Sequence, residues 1–163
     1  MTARDSNPPP VWDVGVISDT HGLVRPSALE ALRGVDLILH AGDIGGKDVV
    51  RALEDIAPVY LVRGNTDQEA WSRTLPDGCV AEVGDHRLYM LHDLGTLSLD
   101  PASAGLSVVV FGHSHMPQQY RKKGVLYFNP GSAGPRRFRL PVSVGRLVVR
   151  GDQVEGTLVT LPS

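Results

Sequence analysis

Val14 to Gly22, V-G-V-I-S-D-T-H-G, is the stretch on which the fold turns. Its first four residues are small or β-branched and apolar, which reads as a buried strand, and the run stops abruptly in polar residues and a glycine. Asp19 and His21 therefore sit just past a strand's carboxyl end. Ligands gather at that edge of an α/β sheet because the strands stop there and the loops open a crevice. A carboxylate and an imidazole two residues apart can turn toward one point, which makes them half of a candidate divalent-metal site.

Working outward, the same pattern recurs. Arg25-Pro26-Ser27 starts a helix with Ala28, Leu29 and Leu32 on one face and Gly34 as its stop. Asp36 to His40 is a second strand, leaving through Ala41-Gly42-Asp43. Lys47 to Ile56 carries Val49, Val50, Leu53 and Ile56 at helical spacing, and Val59 to Val62 is a third strand that leaves through Arg63-Gly64-Asn65. Short links in the order β-α-β-α-β call for parallel strands with right-handed crossovers, so the three exits share one edge.

The character changes after Trp71. Cys79 to Val83 and Arg87 to Leu91 flank the turn pair Gly84-Asp85 as a hairpin that runs out at His92. Asp100 to Gly105 has room only for a short helix, and Ser107 to Phe111 is a compact strand ending in Gly112-His113-Ser114-His115. Val125 to Phe128, Val144 to Val149 and Val154 to Leu161 alternate with turns and read as an antiparallel sheet facing the first.

Composition narrows the classes. A chain of 163 residues buries one sizeable core, so residues 11–163 are expected to form a single domain. Residues 1–10, M-T-A-R-D-S-N-P-P-P, read as a disordered, proline-stiffened tail without the apolar core of a secretory signal. A cytoplasmic location is the resulting expectation, and no apolar run is long enough for a membrane helix. Cys79 stands alone, which excludes an internal disulfide and a cysteine-rich zinc site. A net charge of −2 makes no broad electrostatic case for nucleic acid except as a substrate. The local basic runs Arg121-Lys122-Lys123 and Arg136-Arg137-Phe138-Arg139 read as solvated loops. A homo-oligomer is left open.

In order, the strand exits carry Asp19 and His21, Asp43, Asn65, His92, then His113 and His115. Three of them pair glycine with one ligand-type residue, Gly42-Asp43, Gly64-Asn65 and Gly112-His113, and glycine there lets the backbone approach a ligand with no Cβ in the way. Two carboxylates, one amide and four imidazoles make a mixed oxygen and nitrogen set. Two metals sharing a carboxylate, about 3.5–4 Å apart, would use such a set for in-line attack on phosphorus.

The ordered series D-x-H, G-D, G-N, H and G-H-x-H resembles the calcineurin-like metallophosphoesterases. The compact length, V-R-G-N and the later N-P-G-S resemble their small YfcE-type phosphodiesterase branch. The resemblance implies an α/β fold, a four-layer sandwich of two facing mixed sheets flanked by helices. It further implies a dinuclear centre commonly loaded with manganese, though Fe, Ni, Co or Zn suit such ligands too. Residue by residue it puts Asp19, His21 and His115 on one ion, Asn65, His92 and His113 on the other, and Asp43 as the bridge, with Asp43, Asn65 and His92 closest to the chemistry. The expected function is hydrolysis of phosphate diesters by metal-activated water. The rival is a protein-binding scaffold on the same fold, like the resembling retromer subunit.

Two departures from the wider family stand out. Gly64-Asn65-Thr66-Asp67 has threonine where many members carry a histidine thought to protonate the leaving group, and His92-Asp93-Leu94 lacks the second histidine of an H-G-H. His40 is expected to be buried in a supporting role, and His86 to be solvated. Arg63 is expected to meet a carboxylate or a substrate phosphate. Asn129 to Ser132 reads as a turn that the resemblance places beside the site, and Arg136 and Arg137 are candidates for substrate contact.

Overall fold

The β-branched run that opens the chain forms β1 (Val11–Ile17), and its neighbours follow from the crossover rule. The computed structural model describes residues 8–162, so the expected tail falls largely outside the described residues. Helix α1 (Pro26–Ala31) starts on its proline, and α2 (Lys47–Glu54) buries Val49 and Leu53. They alternate with β2 (Leu37–His40) and β3 (Val59–Leu61), and β1, β2 and β3 pair in parallel. A single helical turn, α3 (Ala70–Arg73), then leads into the second half.

That half builds a second sheet from β4 (Gly78–Val83), β5 (His86–Leu91), β6 (Val108–Val110), β7 (Gln118–Lys122) and β8 (Val125–Asn129). Its order is β4-β5-β6-β8-β7, with the two central pairings parallel and the two outer ones antiparallel. Asp100 to Gly105 makes turns rather than a regular helix.

The last two strands depart from expectation. β9 (Ser143–Arg150) and β10 (Gln153–Thr160) join the first sheet, in the order β10-β9-β1-β2-β3, instead of the facing one. Two parallel crossovers carry β2 and β3 off in one direction and leave the other edge of β1 with unpaired backbone groups. β9 fills that edge antiparallel, from Val11 opposite Arg150 to Val16 opposite Gly145. Arg121 and Lys122, expected in a solvated loop, instead lie in β7, a polar edge strand, where they suit an edge that must not recruit another chain. Tyr120 of β7 stacks on Tyr127 of β8 at 5.0 Å.

Between the sheets lies one core, in which Val14, Val16, Leu39 and Leu147 meet Leu88, Met90, Val110 and Phe128. The Phe128 ring lies against Gly145 and Gly156, where a Cβ would come within 2.3 and 2.7 Å of it. A second core, including Leu32, Ile38 and Leu53, joins α1 and α2 to the outer face of the first sheet. On the outer face of the other sheet, Val109, Phe111 and Tyr127 are covered by Leu94 and Leu97 from a 3-10 turn and the chain that follows. The result is a layered α/β sandwich of two mixed five-stranded sheets, as the resemblance implied.

Candidate metal centre

The exits of β1 and β2 are bonded to each other by backbone before any side chain acts. Asp19, His21 and Gly22 donate their N–H groups to the carbonyls of Gly42, Asp43 and Ile44 at 3.0, 3.0 and 2.8 Å. Such tight turning has a backbone cost: Asp19, His21, Asp43, His113 and His115 all have positive φ, between 48° and 70°. Five of the seven expected ligands thus occupy a conformation that L-residues avoid, and strain of this kind persists only where surrounding structure enforces it.

The glycines of the three doublets show what enforces it. A Cβ on Gly64 would lie 2.1 Å from Asp43 Oδ1, one on Gly42 2.8 Å from His92 Nδ1, and one on Gly112 2.1 Å from Ser18 Oγ. Close approach of three loops is therefore the reason for glycine at all three places.

The side chains converge accordingly. Asp19 is fully buried; its Oδ2 accepts from the Ser18 hydroxyl at 2.6 Å and the His113 N–H at 3.1 Å. Its Oδ1 faces His115 Nε2 at 3.3 Å and the Nε2 atoms of His21 and His92 at 3.9 Å each. Asp43 Oδ1 accepts from the Thr66 N–H at 2.9 Å, while Oδ2 lies 3.3 Å from His92 Nε2 and 3.7 Å from His21 Nε2. Asn65 Oδ1 is 3.0 Å from His92 Nε2, and the exposed His113 ring meets that of His92 edge-on at 5.1 Å. His21 and His115 rings are 5.4 Å apart.

Two groups among the described residues have ligand atoms within 4.8 Å of one another and could hold a metal ion: Asp19, His21 and His115, and Asp19, Asp43 and His92. Asp19 belongs to both, and Asp43 reaches toward His21 as well as His92, so both carboxylates stand between the groups. Asp19 Oδ1, His21 Nε2 and His115 Nδ1 are buried with no hydrogen-bond partner. Native proteins rarely leave such atoms unmet, and a mixed carboxylate and imidazole set suits a divalent cation, so these residues fit the metal that the sequence implies.

Burial works against charge here, and contacts reverse it. Burial raises the pKa of Asp43, but contact with His92 and the Thr66 N–H outweighs this and holds it well below the ordinary carboxylate value. Asp19 is likewise held low, against burial, by His115 and Ser18. His92 is held above its ordinary value, against burial, by Asp43 and Asp19. The Nδ1 of His92 lies 2.7 Å from the Ala41 carbonyl, which can only accept, so Nδ1 carries a proton and Nε2 is the ring atom that would face a metal ion.

His40 supports the centre from beneath, as expected. Fully buried, it accepts the Gly42 N–H at Nδ1, and its Nε2 lies 3.0 Å from Thr20 Oγ1, whose hydroxyl donates to the Ile44 carbonyl. Donation by Nε2 completes the chain, so the imidazole is neutral. Burial pushes its pKa from 6.5 down to about 4. Between those values the unfolded chain holds a proton that the folded chain refuses, so this residue's contribution to stability grows as pH rises from 4 to 6.5. At about 1.4 kcal/mol per pH unit the span is on the order of 3 kcal/mol. Urea unfolding in chelator from pH 4.5 to 7 should show a steeper dependence for the native protein than for His40→Gln; equal slopes would refute this.

Of the remaining residues, His86 departs from expectation, whereas Arg63 meets a carboxylate, one of the two partners expected for it. His86 is hydrogen-bonded rather than merely solvated, with Nδ1 2.6 Å from Ser107 Oγ and Nε2 2.8 Å from the Gly151 carbonyl, because the tight Gly84-Asp85 turn aims it at the β9–β10 turn. Arg63 turns to Asp77, at 3.4 Å. It also lines a cavity of about 440 Å³ with Asn65, His92, Tyr89 and Leu91. Arg136 and Arg137 lie on an exposed loop. Asn129 donates to the Gly112 carbonyl and Ser132 to that of Asp19, so N-P-G-S ties two ligand loops together.

Asp67 is the residue that sequence reasoning missed. Its buried carboxylate accepts the N–H groups of Asp43 at 2.9 Å, Gly64 at 2.8 Å, Ile44 at 3.0 Å and Gly45 at 3.4 Å, clamping the β2 and β3 exits together. Its place at the end of G-N-T-D was the only signal.

The chain is 33% identical to a probable metallophosphoesterase of Methanothermobacter thermautotrophicus, over 90% of this chain and 91% of that protein. It is 27% identical to a phosphodiesterase of Methanocaldococcus jannaschii, over 72% and 82%. The structure of vacuolar protein sorting 29 from Cryptosporidium parvum superposes with a TM-score of 0.79 over 94% of this chain and 93% of that one, at 21% identity, which shows a shared fold. Residues 13–152 match the calcineurin-like phosphoesterase superfamily domain, a span that holds every strand exit described above, and the chain belongs to that superfamily.

Proposed function

We propose that the protein is a dinuclear metal-dependent phosphodiesterase. The observation that carries this is the convergence of two buried carboxylates and three histidine Nε2 atoms, with Asp19 Oδ1 and His21 Nε2 among them left unmet by the protein. Asp19, His21 and His115 would hold one divalent ion and Asn65, His92 and His113 the other, with Asp43 between them and manganese the metal that the resemblance implies. Bound ions supply Lewis acidity toward water and toward phosphoryl oxygens.

The chain's own part is to fix direction. Ser18 and the His113 N–H occupy Oδ2 of Asp19, which leaves Oδ1 free toward three imidazoles. The Thr66 N–H occupies Oδ1 of Asp43 and leaves Oδ2 toward His92 and His21. Asn65 and His113 are exposed, so an ester reaches the centre from their side, where the 440 Å³ cavity gives its leaving arm room against Tyr89 and Leu91. The phosphodiesterase of M. jannaschii supports diesters as the substrate class. The fold of vacuolar protein sorting 29 supports a scaffold as the second reading.

Stripping the metal, reloading manganese, and assaying a chromogenic aryl phosphodiester beside its monoester decides between them. Restored diester turnover is expected; none at any metal load would leave the scaffold. Leaving-group chemistry gives a sharper test. Thr66 stands where a proton donor would be wanted, and a threonine hydroxyl is too weak an acid near neutral pH. Alkyl esters, which need protonation, should be slow relative to aryl esters. Thr66→His should raise the alkyl-to-aryl rate ratio by roughly a hundredfold, the lower range of general acid catalysis. An unchanged ratio would refute the role assigned to this position.

A further inference from the structure

Pro135 to Arg139 are all exposed beside the centre, and three arginines and a phenylalanine fall within these five residues. The loop leaves the sandwich where Ser132 bridges Val142 and Ser143 donates to the Ser132 carbonyl at 3.0 Å. Its root is fixed against the metal centre. Ala133 donates to the Ser18 carbonyl at 3.1 Å, a Cβ on Gly134 would come 2.3 Å from the Asp19 carbonyl, and Arg25 holds the Gly134 carbonyl at 3.1 Å. The tip is a turn closed by Leu140 N–H to the Arg137 carbonyl at 3.0 Å, with Phe138 on it.

Phe138 is 95% exposed, far more than any other large apolar residue described, and has a φ of 52°. A bulky residue in that conformation is a backbone outlier, and a fully hydrated aromatic ring gains nothing from folding. Arg136, Arg137 and Arg139 surround it, on a chain whose net charge is −2. Four residues of chain reach at most about 14 Å, so the ring stays near the centre's Asp19 side. On the His92 side lies the cavity with Arg63 and Tyr89.

We infer that this loop is a docking surface for single-stranded nucleic acid, a base stacking on Phe138 while Arg137 and Arg139 meet the flanking phosphates. Interleaved aromatic and guanidinium groups bind such strands because every base has a stacking face and every linkage a charge. A bound strand would run from the loop toward the cavity and present a phosphodiester between them. That last step rests on the hydrolase reading; the docking itself does not. An anionic membrane offers phosphates and an apolar layer as well, but a flat surface has no reason to meet a loop rooted on Asp19.

The test is fluorescence anisotropy of a labelled oligothymidylate with the full chain, with manganese and again in chelator, beside flotation with phosphatidylserine vesicles. Phe138→Ala should weaken strand binding roughly tenfold, within the range for losing one stacked base. The Arg137→Gln, Arg139→Gln double variant should flatten the slope of log affinity against log salt by about 1.4, two phosphates at about 0.7 each. Both changes lie on exposed side chains, and circular dichroism confirms that the fold survives. Unchanged strand affinity in both variants, or vesicle binding that depends on Phe138 while strand binding does not, overturns the inference. Strand binding without hydrolysis of the chromogenic diester would sink the hydrolase reading and leave the docking surface standing.

Discussion

Asp43→Asn is expected to remove manganese-dependent diester turnover by well over a hundredfold and to lower bound manganese from two equivalents to one or none. Losing an outer partner that merely orients a metal ligand costs roughly 10–100-fold, so a larger loss separates direct participation from support. Asparagine preserves size and can still accept the Thr66 N–H that now reaches Oδ1 at 2.9 Å. The changed atom is Oδ2, 3.3 Å from His92 and 3.7 Å from His21. The substitution removes the charge there, and an amide nitrogen turned inward is a poor metal ligand. Metal content by plasma emission and turnover of the chromogenic diester are both needed. Two equivalents of metal with lost turnover would move Asp43 out of the ligand set, and full turnover with two equivalents would sink the proposed centre.

What could be read from sequence follows the range of the interaction that decides it. The strands that end in Asp19, Asp43, Asn65 and His113 are each specified within about eight residues: an apolar run, then a sharp polar exit, three of them through glycine. Parallel crossovers then placed three of those exits together without further information. Sheet membership of β9 was different, because its partner β1 lies more than 120 positions away and alternating apolar residues fit either sheet. His86 bonds to a carbonyl 65 positions on, and Arg63 to a carboxylate across a bend. Both were open because a polar residue's partner is not written beside it. Asp67 shows the same limit at its sharpest, since three of its four donors come from residues 22–24 positions earlier.

Asp67→Ala should accordingly be the most destabilising polar substitution in the protein, costing roughly 4 kcal/mol or more. The carboxylate is 3% exposed and satisfies four backbone N–H groups, two of them at 2.8 and 2.9 Å. Alanine leaves those donors buried with no acceptor, each costing about 1–3 kcal/mol, and partial rescue by entering water sets the lower figure. For a chain of this length that corresponds to a fall in Tm of roughly 8–16 °C. The loss has a direction as well as a size. With the clamp gone the Asp43 and Ile44 N–H groups that hold Asp43 at its positive φ, 57°, lose their acceptor, and relaxation of that loop draws Oδ2 away from His92. Metal affinity should therefore drop together with Tm, and added manganese should recover less stability than in the native protein, because binding must now also re-form the strained turn. Asp67→Asn separates the two effects: one oxygen can still accept from Asp43 and Gly64, but the amide group faces the Ile44 and Gly45 donors, so an intermediate Tm is expected. Calorimetry of the three proteins with and without manganese measures this, and an Asp67→Ala protein melting within about 2 °C of the native one would show that the four hydrogen bonds do not hold the loops.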